Sequence, residues 1–172
     1  MRFLQAQWRA EAFGHKLQQI KFEHPTAEAT GQQSCCRSGV CCWRRPGELT
    51  SEDVKRLAAH FSITPQEFFA TYCVVDDIAG KRCLVLRREH QSEYAGRFLP
   101  WDETYSIESP CVFLDRQDHT CKVHDVKPEC CQIFKCWVGQ NKEIFGMSDD
   151  DLKWLGWDGC DDDYDDNDSY SE

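Results

Sequence analysis

The sequence predicts a small α+β domain, irregular in outline, made of short helices and a β-hairpin. Three observations predict it. Twelve cysteines fall in 172 residues, six of them in the vicinal pairs Cys35-Cys36, Cys41-Cys42 and Cys130-Cys131. Two apolar segments with helix-start signals follow the first cluster, and two short apolar runs joined by a polar turn precede the last. A core limited to residues 35–137 buries only roughly 60–70% of its unfolded surface. Bound metal is a natural supplement, because a structural zinc site contributes on the order of 10 kcal/mol to folding.

Residues 3–22 carry Phe3, Leu4, Trp8, Phe13, Leu17 and Ile20 at roughly helical spacing, and His24 to Ser34 reads as a polar linker. Residues 1–34 therefore form an amino-terminal helix and linker. The cluster over 35–42 contains Gly39 and is closed by Pro46-Gly47, so it is expected as a loop wrapped around a centre. Thr50 or Ser51 can cap a helix whose face holds Val54, Leu57, Ala58 and Phe61. Thr64-Pro65-Gln66-Glu67 is a capping box with proline at the first helical position, opening a helix with Phe68, Phe69 and Tyr72 and ending near Cys73. Asp76-Asp77 reads as a loop, Arg82 to Arg87 as a strand, and 88–109 as irregular. Cys111 to Leu114 and Cys121 to His124 read as a hairpin across the polar turn Asp115 to Thr120. Lys127-Pro128-Glu129 opens a short helix bearing Cys130 and Cys131, with Cys130 on its far side. The cysteine-cluster domain is thus 35–137, and 138–172 is a carboxyl-terminal extension with a disordered acidic tail.

Charge supports that division. Residues 149–172 hold eleven acidic residues against Lys153 alone, whereas residues 1–148 balance nineteen acids with nineteen bases. The tail accounts for the whole net charge of −10. Such a run self-repels and disfavours attraction to nucleic acid or anionic lipid, so neither is expected as a partner. Arg2, Arg9, Glu11 and Lys16 interrupt any apolar signal core near Met1, and no apolar stretch approaches ~18 residues. The expected compartment is the cytoplasm. There, clustered thiols are metal ligands or redox groups more often than disulfides.

The ligand candidates are Cys35, Cys36, Cys41 and Cys42 from the first cluster and Cys111, Cys121, Cys131 and Cys136 from the second. Zinc and iron-sulfur sites both combine loop cysteines with ligands from another element. Arg37, Arg44, Arg45, Lys122, Lys127 and Lys135 lie beside the thiols and can offset thiolate charge. Cys73, Cys83 and Cys160 read as inert thiols. On strand alternation, His124 faces away from Cys121 and packs. Asp161, Asp163, Asp165 and Glu172 fall at calcium-loop offsets, but Asp166 stands where that loop needs glycine. No nucleophile, base and orienting group can be assembled, so no reaction is assigned.

The order Cys35 to Cys42, Leu49-Thr50 through Phe69, Cys111-Val112-Phe113-Leu114, Cys121-Lys122-Val123-His124 and Lys127-Pro128-Glu129-Cys130-Cys131-Gln132 resembles the YkgJ-like cysteine-cluster family of zinc- or iron-chelating domains. The resemblance covers roughly residues 35–137. It implies zinc or iron as cofactor, with an iron-sulfur cluster the alternative. Four positions depart from the family pattern: Ser38 stands for its second cysteine, His124 for tyrosine, and Lys127 and Gln132 for arginines. Serine is a poor replacement for a thiolate, and Cys36 is the expected substitute ligand. A similar cysteine motif in flagellin lysine methylases suggests a competing reading, an iron-sulfur component of an electron-transfer or methyl-transfer system. This chain carries no Gly-x-Gly-x-x-Gly loop to support it. A third reading is an interaction module with a metal staple, docking through its tail.

Overall fold

The computed structural model describes residues 37, 39–44, 46–78, 80–104, 106, 108–133 and 145–159. The expected helix over 3–22, the linker over 24–34 and the acidic stretch from 161 onward lie outside them.

The first cluster is not wholly a loop. Arg37 and Gly39 have left-handed backbones (φ 56° and 69°), and the chain then enters a short helix, α1 (Val40–Arg44), which carries Cys41 and Cys42. A two-residue strand, β1 (Glu48–Leu49), precedes α2 (Ser51–His60). Thr50 caps α2: its hydroxyl accepts the Asp53 amide at 3.2 Å while the Asp53 carboxylate accepts the Thr50 amide at 3.0 Å. Thr64 and Glu67 close the same reciprocal pair on α3 (Pro65–Tyr72), as the sequence predicts.

Cys73 ends that helix as its C-cap, as expected, and also begins β2 (Cys73–Ile78), which pairs antiparallel with β3 (Lys81–Leu86) from Cys73 opposite Leu86 to Ile78 opposite Lys81. Asp76 and Asp77 therefore lie in a strand. Asp76 is buried and accepts the Thr104 hydroxyl at 2.9 Å, so a distant partner satisfies a carboxylate that disfavours strands locally. β1 pairs on the other side of β3, giving the order β1-β3-β2. Alternation sends Cys73, Val75, Leu84 and Leu86 to the main core and Val74, Ile78, Cys83 and Val85 to a smaller cluster with Leu99. Both faces are covered, which explains the nearly continuous apolar run of β3.

Residues 88–109 are irregular as expected, with a 3-10 segment (Glu89–Tyr94) and a short helix, α4 (Trp101–Thr104). The hairpin expected over 111–124 shrinks to a single antiparallel bridge between Leu114 and Cys121, flanked by the Asp115–Thr120 and Lys122–Phe113 backbone hydrogen bonds, both 2.8 Å. Past Cys121 the chain turns into a second 3-10 segment (His124–Val126), then α5 (Glu129–Ile133).

The main core joins α2, α3 and the sheet around Leu57, Phe68, Leu84 and Phe113. It also takes in Met147, Leu152, Leu155 and Trp157 from beyond residue 137. Leu152 lies on α6 (Asp149–Trp154), capped by Ser148 with Asp149, Asp150 and Asp151 in its first turn. Acidic side chains are favourable there because they face the positive end of the helix dipole. The acid-rich run therefore begins as packed structure.

Candidate metal centre

Three chain segments meet at the thiols. The Cys42 amide is fixed to the Gly39 carbonyl at 3.0 Å, and the Cys42 carbonyl accepts the Cys111 amide at 2.8 Å. Cys111 is held in turn by an antiparallel bridge to Arg88. The buried Arg88 guanidinium ties the end of α1 to the same segment, donating to the Trp43 carbonyl at 3.3 Å and the Ser109 carbonyl at 2.9 Å. Cys121 arrives through its bridge to Leu114. The Cys42 thiol lies within hydrogen-bonding reach of Cys41, Cys111 and Cys121.

Cys41, Cys42 and Cys121 differ in their hold on a proton. Cys111, Cys121 and Cys41, alternative acceptors of a hydrogen bond from its one proton, together with burial push the Cys42 thiol well above its ordinary range. Receiving that hydrogen bond lowers Cys41 against the opposing effects of burial and the Cys121 charge. Cys121 falls to about 7, first through Cys42, with burial opposing and the Val123 amide and Lys127 assisting. Cys42 thus keeps its proton while Cys121 gives one up near neutrality. Thiolates are the metal-binding form, so this set is poised for a cation.

Cys131 sits with Cys130 beside this group. Their sulfurs are 3.8 Å apart, and Cys130 donates to the Glu48 carbonyl at 3.0 Å. Cys130 is therefore not on the far side of α5: both sulfurs crowd Gly47, where an added Cβ would lie 2.5 Å from Cys131 Sγ and 3.0 Å from Cys130 Sγ. The Cys130 contact, together with burial and the Cys41 and Cys111 charges, raises the Cys131 thiol well above its ordinary range.

Of the ligands expected from sequence, Cys41, Cys42, Cys111 and Cys121 come together and Cys131 lies alongside, whereas Cys35, Cys36 and Cys136 fall outside the described residues. Lys127 is the expected basic neighbour that acts on the thiols. Cys73 and Cys83 are fully buried in the sheet, and the Cys73 thiol is raised by burial and then by the Cys111 charge. Cys130 is the residue whose position differs from the sequence expectation. For Cys130 the sequence offers only its vicinal placement beside Cys131, because the contact with Gly47 is long-range.

Among the described residues, no set of three or more His, Cys, Asp or Glu side chains is arranged to hold a metal ion as it stands. The Cys41, Cys111 and Cys121 thiols nevertheless act on the ionisation of Cys42. Their chemistry still fits zinc or iron, because both take thiolate ligands and this group already bears a thiol ionising near neutrality.

A family model, CxxCxxCC, described as a putative zinc- or iron-chelating domain, matches residues 33–155. The chain belongs to this family. The CxxCxxCC match begins just ahead of Cys35 and ends within the segment that packs Leu152 and Leu155 into the core, so it extends past the 35–137 resemblance read from sequence. Searches of curated proteins and of solved structures returned no significant match. No helix among the described residues is long and apolar enough to cross a membrane.

Proposed function

We propose that this CxxCxxCC domain binds a zinc or iron ion through cysteine thiolates. Cys41, Cys42, Cys111 and Cys121 form the centre, Cys131 stands beside it, and Cys35, Cys36 and Cys136 complete or replace ligands from the flanking chain. The observation that carries the reading is the contact of the Cys42 thiol with Cys41, Cys111 and Cys121, which lie on three separate segments. Four ionisable sulfurs gathered at one point have no packing advantage over apolar side chains, and they repel one another once ionised. A cation removes that repulsion and turns it into binding energy. Cys41 and Cys42 of α1, Cys111 and Cys121 would hold the ion, and their shared ligation would tie these three segments together. The chain's own part is to hold the sulfurs close, exclude water from Cys42 and Cys111, and place Lys127 where it favours the thiolates.

Metal analysis and an absorption spectrum after anaerobic purification test this. One or more equivalents of zinc or iron are expected, lost in a combined Cys42→Ser, Cys121→Ser variant. Zinc leaves the protein colourless, whereas iron-thiolate or iron-sulfur centres absorb in the visible. A chain that takes up neither metal when reduced, folded and supplied with both would refute the proposal.

A further inference from the structure

We propose that His124 is a nitrogen ligand of this centre, presented with Cys121 by a Cys-x2-His turn. The inference rests on the metal-binding reading above. It differs from the packing role that strand alternation suggests, because residues 121–124 do not form a strand. The His124 amide donates to the Cys121 carbonyl at 3.2 Å, closing a turn across three residues. The Val123 amide is directed at the Cys121 sulfur, the kind of outer contact that orients a metal-binding thiolate.

The imidazole is the second observation. Both ring nitrogens of His124 are buried without a hydrogen-bond partner, two of the three such side-chain atoms among the described residues. A neutral imidazole has one donor and one acceptor, and burying both unmatched is costly. The exposed Asp125 carboxylate lies 3.5 Å from Nδ1, too poorly placed to bond. That placement leaves Nε2 for the metal and sets a carboxylate on the Nδ1 side, the arrangement in which a ligating histidine gains orientation. Asp125 is also reached by Arg37 at 3.9 Å, which ties the turn to the loop that carries the first cluster. Ser38 leaves that loop one thiolate short of the family pattern, and an imidazole is a far better replacement for zinc or iron than a hydroxyl. Closing the centre then requires the ion to draw the ring and the thiols together.

The test uses the full chain, reduced and loaded with isotopically enriched cadmium, with nitrogen-labelled histidine. A scalar coupling between cadmium and a His124 ring nitrogen is expected, assigned through the backbone of the parent protein so that no variant is needed. Alongside it, His124→Phe should weaken zinc binding at least about tenfold and alter the cobalt-substituted spectrum, and His124→Cys should recover the affinity. If the parent binds cadmium but shows no such coupling, the histidine assignment fails while the thiolate centre stands. If the parent binds no metal, both fail.

Discussion

Gly47 shows how much one hydrogen atom decides at the scale of a residue. Its missing side chain makes room for Cys130 and Cys131, and an added methyl group would overlap the Cys131 sulfur at 2.5 Å. Cys130 is tied to the Glu48 carbonyl, and the Gly47 backbone is held by its carbonyl accepting the Leu86 amide at 3.0 Å. Gly47→Ala should cost about 1–3 kcal/mol by overpacking and weaken metal binding, read as a lower thermal midpoint and a lower competition affinity. Cys121 gives a second test. In the folded, metal-free protein its ionisation lies near 7, below the ordinary 9.0, chiefly because Cys42 donates to it. Its thiolate fraction therefore rises as pH increases through 7. Alkylation of Cys121, followed by mass spectrometry, should reach half its limiting rate near pH 7 and should shift upward in Cys42→Ala, which removes the donor.

At the scale of elements, Asp53 joins two helix starts. Its buried carboxylate accepts the Thr50 amide of the α2 cap, the Glu129 amide at the start of α5 (3.1 Å) and the Arg56 guanidinium. Arg56 also donates to the Lys127 carbonyl at 3.1 Å, so one pair of side chains fixes where α5, and hence Cys131, sits against α2. Asp53→Ala removes a cap and strands a buried amide, a loss of about 2–3 kcal/mol. It should lower both the thermal midpoint and metal affinity. Thr64→Ala breaks the exposed cap of α3 for about 1 kcal/mol and should leave metal affinity unchanged. Equal effects on affinity from the two variants would show that Asp53 acts only through global stability.

For the whole molecule, the question is where the stable unit ends. Met147, Leu152, Leu155 and Trp157 are buried in the main core, and the Met147 amide bonds the Arg82 carbonyl beside β3 at 2.9 Å. Arg82 further lies over the Trp157 ring and reaches Asp149 at 3.1 Å. Truncation after Gly159 should keep the thermal transition and metal stoichiometry. Truncation after residue 144 strips four core side chains, each worth about 1.5–3 kcal/mol of burial, and should abolish the cooperative transition. Melting curves and metal content of the two truncates check this.

Short-range features are readable directly from the chain. The Thr50 and Thr64 caps, the two helices they open, strand β3 and the order of the cysteine segments are all set by residues within a few positions of one another. Features that depend on distant partners were not legible. Asp76 sits in a strand because Thr104 meets it from the other end of an irregular segment, and Cys130 turns toward Cys131 because Gly47 leaves a hollow there. Period-two alternation does not apply at His124, because its amide closes a turn onto the Cys121 carbonyl. The acid-rich run at 149 was judged by charge alone, although Leu152, Leu155 and Trp157 supply apolar surface that becomes visible only when the sheet is there to receive it. Which sulfurs touch is likewise a tertiary fact: local chemistry makes each cysteine a possible ligand, and the packing of α1 against the Cys111 segment and the Cys121 turn makes four of them neighbours.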